Sequence, residues 1–288
     1  MVSGEERIFV FMLDQIIRNA LIEDIGEGDH STLACVPENA NGAARLLVKE
    51  AGILAGIEVA KRIYELVDSN LEVITYKKDG DKVKVGDIAF VVSGSSRAIL
   101  TSERLVLNFM QRMSGIATQT NEILKVIEGC QTKLLDTRKT TPGIRYLEKW
   151  AVKIGGGENH RFGLYDLIML KDNHVDYAGG VANAIQKTKA YLAKTKKSLG
   201  IIVEVRNFTE LDEAINEGGI MRIMLDNFNP SDLRIALNRI PEEIETEASG
   251  GITLANIREY AETGVQYISV GALTHSVKSM DLSLKAML

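Results

Sequence analysis

Apolar positions change their spacing near the middle of the chain. Residues 1–20 set Glu5, Glu6, Arg7, Asp14 and Arg18 among apolar neighbours, the pattern of an amphipathic helix too interrupted by charge for a signal peptide. An irregular stretch rich in Gly, Asp and Ser follows at 26–32. Residues 43–49 read as a strand, 58–67 as a helix, and 71–77 and 88–93 as strands, with Asp79-Gly80-Asp81 and Gly86-Asp87 as turn signals between them. A long helical pattern begins at Thr101 and runs through Leu105, Phe109, Ile116, Ile123 and Ile127; Thr101 or Ser102 is its expected N-cap.

From Lys133 onward, short apolar runs alternate with amphipathic stretches. Strands are expected at 134–137, 167–170, 201–205, 223–225, 244–248 and 267–270. Helices are expected at 144–154, 181–194, 209–217, 231–238 and 254–262, with Pro142 and Pro230 each suited to a first helical turn. Such alternation means an α/β protein with parallel strands joined by helical crossovers. A spacing of roughly 22 residues in the later units favours a closed or nearly closed β/α barrel over an open sheet, although about six units fall short of a full barrel.

Side chains at the C-terminal strand ends of a β/α barrel share one mouth. Those positions hold Arg138 and Lys139, then Lys171, Glu204, Asp226, Ser249 with Gly250, and Gly271. Cationic, then acidic, then small, they point to one bipartite pocket. On its basic side, Asp136-Thr137-Arg138-Lys139-Thr140-Thr141-Pro142-Gly143 ends a strand and opens a helix, where backbone N–H groups and the helix dipole favour an anion. An arginine there can grip a carboxylate through two parallel hydrogen bonds. Gly155-Gly156-Gly157 leads into Glu158-Asn159-His160-Arg161, and its glycines would let a ligand approach closely. Solvated surface cations are the ordinary alternative for any one residue, but Arg138, Lys139, Arg161 and Lys171 all fall at strand ends or the adjoining loop.

On the acidic side, Glu204 and Asp226 end neighbouring strands, positions that are costly for a carboxylate unless it is paired or metal-bound. Two such carboxylates suit magnesium; the competing reading is a pair of salt bridges to Lys171 and Arg206. Ser249-Gly250-Gly251 and Gly271-Ala272-Leu273-Thr274 are turns feeding helix N-termini, a phosphate-site pattern. The histidines form no metal motif. His160 reads as a substrate contact, His174 as either a mouth residue or a helix cap, His275 as either a phosphate donor or a residue positioning the Gly271 turn, and His30 as structural or without an assigned role. Trp150, Tyr146, Phe162 and Tyr165 read as core.

Composition adds limits. With 45% hydrophobic and 25% charged residues, the chain is ordinary globular material. A formal net charge of −5 argues against a nucleic-acid partner, so an anion site must come from a local basic cluster. Cys35 and Cys130 lie far apart and outside metal-binding spacing, which fits a reducing cytoplasm better than a disulfide. No apolar run approaches the roughly 20 residues of a membrane span.

Several motifs occur together and in order: Glu103-Arg104-Leu105, residues 136–145 (DTRKTTPGIR), 155–161 (GGGENHR), 170–174 (LKDNH), Glu204-Val205, Leu225-Asp226-Asn227 and 247–252 (EASGGI). The set resembles the nicotinate-nucleotide pyrophosphorylases, also called quinolinate phosphoribosyltransferases, over nearly the whole chain. That resemblance implies an N-terminal α/β sandwich domain plus an incomplete, open β/α barrel of the type II phosphoribosyltransferase kind. The sandwich would span residues 1–112 and the barrel 113–275, with 276–288 packing back on the sandwich. A homodimer or higher oligomer is also implied, with Arg104 contributed across the interface.

By matching position, Arg104, Arg138, His160, Arg161 and Lys171 would hold the quinolinate carboxylates. Lys139, Glu204, Asp226, Ser249, Gly250, Gly271 and His275 would hold phosphoribosyl diphosphate. Glu204 and Asp226 would carry magnesium, directly or through water, and Lys139, Lys171, Glu204 and Asp226 would be catalytic. The implied reaction transfers phosphoribosyl to quinolinate with decarboxylation, giving nicotinate mononucleotide, diphosphate and carbon dioxide in NAD biosynthesis. A related transferase acting on a monocarboxylate is the nearest rival, but it would leave cations unpaired. A non-catalytic barrel binding phosphorylated metabolites would not need Glu204, Asp226 and the cation cluster together.

Overall fold

The computed structural model describes residues 4–287, with side chains from residue 11 onward, so residues 1–3 of the expected first helix and the side chains of Glu5, Glu6 and Arg7 lie outside the described set. In chain order the elements begin with α1 (Gly4–Ile25), α2 (His30–Cys35), β1 (Asn41–Val48), β2 (Gly52–Ile53), α3 (Ile57–Val67), β3 (Glu72–Thr75), β4 (Lys82–Val83), β5 (Ile88–Ser95) and α4 (Ser96–Val126). They continue with β6 (Lys133–Leu135), α5 (Arg145–Ile154), β7 (Ile168–Leu170), α6 (Asp172–Ala178), α7 (Val181–Thr195), β8 (Ile201–Val205), α8 (Phe208–Glu217) and β9 (Arg222–Asp226). The last are α9 (Pro230–Leu237), β10 (Glu245–Ser249), α10 (Ile257–Ala261), β11 (Tyr267–Ser269), α11 (Ala272–His275) and β12 (Leu282–Met287). Two compact units result: Met1–Asn121 with Thr140–Gly156 and Leu273–Leu288, and Glu122–Lys139 with Gly157–Ala272.

The first unit holds a four-stranded antiparallel sheet ordered β12-β1-β5-β3. Alternation makes this sheet amphipathic: Ala44, Leu46 and Val48 of β1 are buried while Arg45 between them is exposed. The final strand joins in matching register, setting Leu284 opposite Leu46 and Leu282 opposite Val48. Along α3 the apolar residues Ile57, Ala60, Ile63 and Tyr64 recur at helical spacing and are buried, and the Tyr64 ring meets Phe90 of β5 edge-on at 5.9 Å. Arg62 on the same helix grips Asp14 of α1 through two bonds of 2.7 Å.

Helix α4 starts at Ser96, earlier than the pattern predicts, so Thr101 and Ser102 are interior residues instead of caps. Ser102 Oγ donates back to the Ala98 carbonyl at 2.7 Å, and Thr101 Oγ1 donates to Asp29 at 3.2 Å. Hydroxyls that can cap a helix can equally bond its previous turn, as Ser102 does, or reach another segment, as Thr101 does. Further along α4, Met280 N–H donates to the Gln111 carbonyl at 3.0 Å, bringing the C-terminal segment against the helix. A Cβ at Gly115 would collide with the Lys278 carbonyl oxygen and lie 3.1 Å from its carbon.

The second unit is built on six parallel strands ordered β6-β11-β10-β9-β8-β7. Strands β7 to β11 follow one another around the sheet, β6 lies beside β11, and β6 and β7 are unpaired with each other among the described residues. One open seam in an otherwise sequential parallel sheet is the open barrel. All five residues of β8 are buried, as a strand covered on both faces requires. The helices begin and end near the expected places: Asn229 caps α9 by accepting the Asp232 N–H, with Pro230 in its first turn. Helix α10 is shorter than predicted because Asn256 folds back to accept the Thr253 N–H at 2.7 Å, turning 253–256 into a local turn.

Gly115→Ala is expected to destabilise the protein by about 1–3 kcal/mol, since the methyl overpacks a backbone contact that cannot rotate away. A lower urea midpoint with an unchanged denaturant slope would confirm this; an unchanged midpoint would refute it.

Candidate active site

Because the six strands are parallel, their C-terminal ends fall at one end of the sheet. Register fixes which side chains share its face. Glu204 pairs with Met224, Glu247 with Met224, and Ser249 with Asp226, so these residues stand in successive layers on one side. Met169, Ile202 and Met224 pack together in that core.

In the acidic half, Glu204 is 8% exposed and accepts from Lys171 Nζ at 3.2 Å. The second partner expected from the sequence turns elsewhere: Arg206 pairs with Asp176 at 2.8 Å and Glu210 at 2.6 Å. Asp226 accepts from Ser249 Oγ at 3.0 Å and from Asn227 Nδ2 at 2.7 Å. The turn after β10 needs glycine: Gly250 has φ +86°, and a Cβ there would strike the Asn227 carboxamide and approach its backbone nitrogen to 2.9 Å.

The basic half depends on how the open seam is edged. Glu158 N–H donates to the Leu134 carbonyl at 2.8 Å, and Asp136 N–H donates to the Glu158 carbonyl at 3.1 Å. The segment after the glycines therefore lies along β6. Fully buried Asp136 then anchors it by accepting the His160 N–H at 2.8 Å and Asn159 Nδ2 at 2.6 Å. This brings Arg161 toward Arg138. Burial is the larger influence pulling the Arg161 guanidinium below its usual range, and repulsion from Arg138 adds to it; nearby Asp166 opposes both. Asp166 is itself engaged by the Phe162 and Gly163 N–H groups at 2.6 and 3.0 Å. Arg161 Nη1 donates to the Leu167 carbonyl at 3.0 Å, while the buried Nε of Arg138 has no hydrogen-bond partner among the described residues. Neither arginine forms an ion pair among them.

Several sequence expectations change at this level. Pro142 does not begin α5; it lies in a turn with Gly143 (φ +84°), and the helix starts at Arg145. The Thr141 N–H, an intended anion donor, is taken by Glu148 at 2.9 Å. Gly155 serves packing, since a Cβ there would collide with Thr120 and the Ala117 carbonyl of α4. His174 is a helix cap: its Nδ1 accepts the Lys171 N–H at 3.1 Å. His160 is interior, with its side chain 5% exposed. Tyr165 is not core; it is 70% exposed with its ring lying against Gly163. Lys139, Ser249 and Gly271 sit at strand ends of the second unit, whereas Arg104, exposed on α4, and His275, beside Ser276 Oγ at 2.6 Å, belong to the first.

Sequence reasoning missed the charged floor beneath this mouth. Arg222 Nη1 donates to Glu247 at 2.9 Å and Nη2 to Glu245 at 2.6 Å, with the guanidinium 3.9 Å from the centre of the Tyr267 ring. His160 Nε2 stands 3.2 Å from the same Glu247 oxygen, slightly off the hydrogen-bond axis. Burial alone would raise the Glu247 carboxyl, but His160, Arg222 and Ser269 together hold it below its ordinary range. A readable signal existed: Glu245 and Glu247 alternate in one strand and so share a face.

The fold thus defines a two-unit α/β protein built on an open barrel, with cationic and acidic side chains at its strand ends. The chain matches the models for the quinolinate phosphoribosyl transferase C-terminal domain over residues 116–285 and N-terminal domain over 29–114. A nicotinate-nucleotide pyrophosphorylase [carboxylating] of rice, named as chloroplastic, is 45% identical, covering 95% of this chain and 77% of that protein. A probable enzyme of the same name from Bacillus subtilis is 44% identical, covering 94% and 92%. Among solved structures, NadC from Streptococcus pyogenes superposes with a TM-score of 0.90 at 38% identity, covering 96% of this chain and 98% of that one. The nicotinate-nucleotide pyrophosphorylase from Francisella tularensis gives 0.89 at 40%, covering 96% of each. The chain belongs to the quinolinate phosphoribosyltransferase family.

The charged floor makes a pH prediction. Glu247 has a folded-state pKa below its ordinary 4.5, so its ionised form contributes stability that is present above that value and is lost as pH falls through the folded-state value. Glu247→Gln should be strongly destabilised at neutral pH, by roughly 3–5 kcal/mol, because Arg222 loses a buried partner. Urea melts of both proteins should show this gap closing below about pH 4.5. A gap that widened in acid would contradict it.

Proposed function

We propose that this protein transfers the phosphoribosyl group of phosphoribosyl diphosphate to quinolinate with decarboxylation, yielding nicotinate mononucleotide, diphosphate and carbon dioxide. Supporting this reading above all is the pair Arg138 and Arg161, whose charges repel each other and which form no ion pair among the described residues, Asp166 offsetting Arg161 only in part. Two partly buried guanidiniums that repel each other would be offset by a doubly negative ligand, and a planar dicarboxylate matches their fork geometry. Lys171, poised on Glu204, supplies a third cation at the same strand ends.

Phosphoribosyl diphosphate would lie across the acidic half, with Lys139, Ser249, Gly250, Gly271 and His275 taking its phosphates. Glu204 and Asp226 are suited to the ribose hydroxyls and to offsetting positive charge on the ribose carbon as its bond to diphosphate lengthens. The pyridine nitrogen then forms the new bond with its lone pair while diphosphate departs with the old bonding pair. Positive charge on that nitrogen lets the neighbouring carboxylate leave as carbon dioxide, and the ring carbanion takes up a proton. Lys171 or Lys139 assists that proton delivery.

Among the described residues no group of three or more His, Cys, Asp and Glu could cage a metal. Magnesium takes one or two carboxylates and completes its shell with substrate oxygens and water. Glu204 and Asp226 would hold it, and when bound it neutralises charge on the departing diphosphate. We further infer a homodimer or higher oligomer in which Arg104, exposed on α4, reaches the partner's site, with domains near residues 1–112 and 113–275 and a cytoplasmic location. No helix of the described residues is long and apolar enough to cross a membrane.

Purified protein with magnesium and phosphoribosyl diphosphate should turn over quinolinate and not nicotinate. Arg138→Gln should lower kcat/KM for quinolinate roughly tenfold to a hundredfold, the worth of a charge-assisted bond. Equal use of nicotinate would favour a monocarboxylate transferase, and diphosphate-sugar binding without turnover a sensor. Labelled carbon dioxide release, followed separately from nucleotide formation, should slow in Lys139→Ala or Lys171→Ala; unchanged rates in both would remove the lysines from the decarboxylation step.

A further inference from the structure

The proposed function leaves the charged floor of the barrel without a role. His160 lies between that floor and the cationic loop, and each ring nitrogen faces a different side. Nδ1 accepts the Arg161 backbone N–H at 2.7 Å, and Nε2 lies 3.2 Å from Glu247. A nitrogen that accepts an N–H carries no proton, so the ring proton sits on Nε2, the nitrogen that stands 3.2 Å from the Glu247 carboxylate but off the hydrogen-bond axis. Flipping the ring would set carbons against both partners. The backbone of the same residue is pinned separately, by Asp136 at 2.8 Å.

Charge in the floor favours this arrangement. Arg222 is shared between Glu245 and Glu247, so the cluster carries two carboxylates against one guanidinium. The remaining negative charge selects an N–H donor at the one position where His160 reaches it.

We propose that Glu247 is a positioning residue for the quinolinate-binding loop: it holds His160 as the Nε2–H tautomer, which leaves Nδ1 to fix the Arg161 backbone and hence the direction of its guanidinium. The assignment rests on the reading of Arg161 as a quinolinate ligand. Glu247 acts two contacts away from the substrate, much as a carboxylate behind a metal-bound histidine sets ring orientation.

The test combines a spectrum with kinetics. In full-length protein labelled with nitrogen-15 at its 4 histidines, with His160 assigned by its disappearance in His160→Gln, the ring nitrogens should show protonated Nε2 and bare Nδ1 at neutral pH. Glu247→Gln should raise KM for quinolinate roughly tenfold or more while KM for phosphoribosyl diphosphate moves less than about twofold. An Nδ1–H tautomer or an imidazolium in the wild type would overturn the proposal, as would a folded Glu247→Gln with unchanged KM for quinolinate. Should that variant fail to fold, the wild-type spectrum decides. The spectrum needs no substrate, so absent quinolinate turnover counts against the enzymatic reading and leaves the tautomer to be judged separately.

Discussion

A carboxylate with no exposure to water can stay ionised inside a sheet only if cations and donors reach it directly. Glu247 meets that condition through Arg222 from the neighbouring strand and His160 from the loop along β6. The two supports come from different parts of the chain, so satisfying one buried charge ties the barrel floor to the loop that carries Arg161. Had Glu247 been apolar, the segment 158–161 would still pair with the edge of β6, but its side chains would lack an electrostatic reason to adopt one orientation.

Above this floor the balance of charge reverses. Glu204 is matched by Lys171, and Asp226 is satisfied by neutral donors from Ser249 and Asn227. Arg138 and Arg161 form no such ion pair among the described residues, and Arg138 repels Arg161 while Asp166 offsets it only in part. Cost of this sort is tolerated where a ligand removes it. The interior is balanced by its own residues; the proposed dicarboxylate would balance the mouth.

Much of the architecture was legible in hydrophobic spacing. Six expected strands became six parallel strands, most of them apolar because a strand covered on both faces has little room for charge; β10, with Glu245, Thr246 and Glu247, is the exception. Errors fell where one residue type serves two local structures. Ser102 and Thr101 can cap a helix or bond within it, and Pro142 can start a helix or sit in the turn before one. Gly155 shows the same ambiguity for function: a glycine that admits a ligand and one that admits a neighbouring helix look identical in sequence, and the Ala117 carbonyl decided between them. The site divides likewise. Strand-end charges at Arg138, Lys171, Glu204 and Asp226 could be read from their neighbours alone, and a Lys171 salt bridge to this acidic pair was one of two open readings. The turn of Arg206 toward Asp176 and Glu210 and the inward turn of His160 could not be read.

Short elements such as α2, α6 and β12 escaped the sequence pattern. By itself, the sequence determined where the six parallel strands and most of the helices between them lie, which chemistry stands at the strand ends and which family the motifs resemble. These are local properties, set by periodicity and residue type within a few positions. Tertiary structure alone decided the strand order that puts β6 beside β11, the seam that residues 157–160 edge, and the ring of contacts linking Arg222, Glu247 and His160. Those depend on which distant segments meet and on how each buried charge finds its partner, and no spacing along a single chain carries that information.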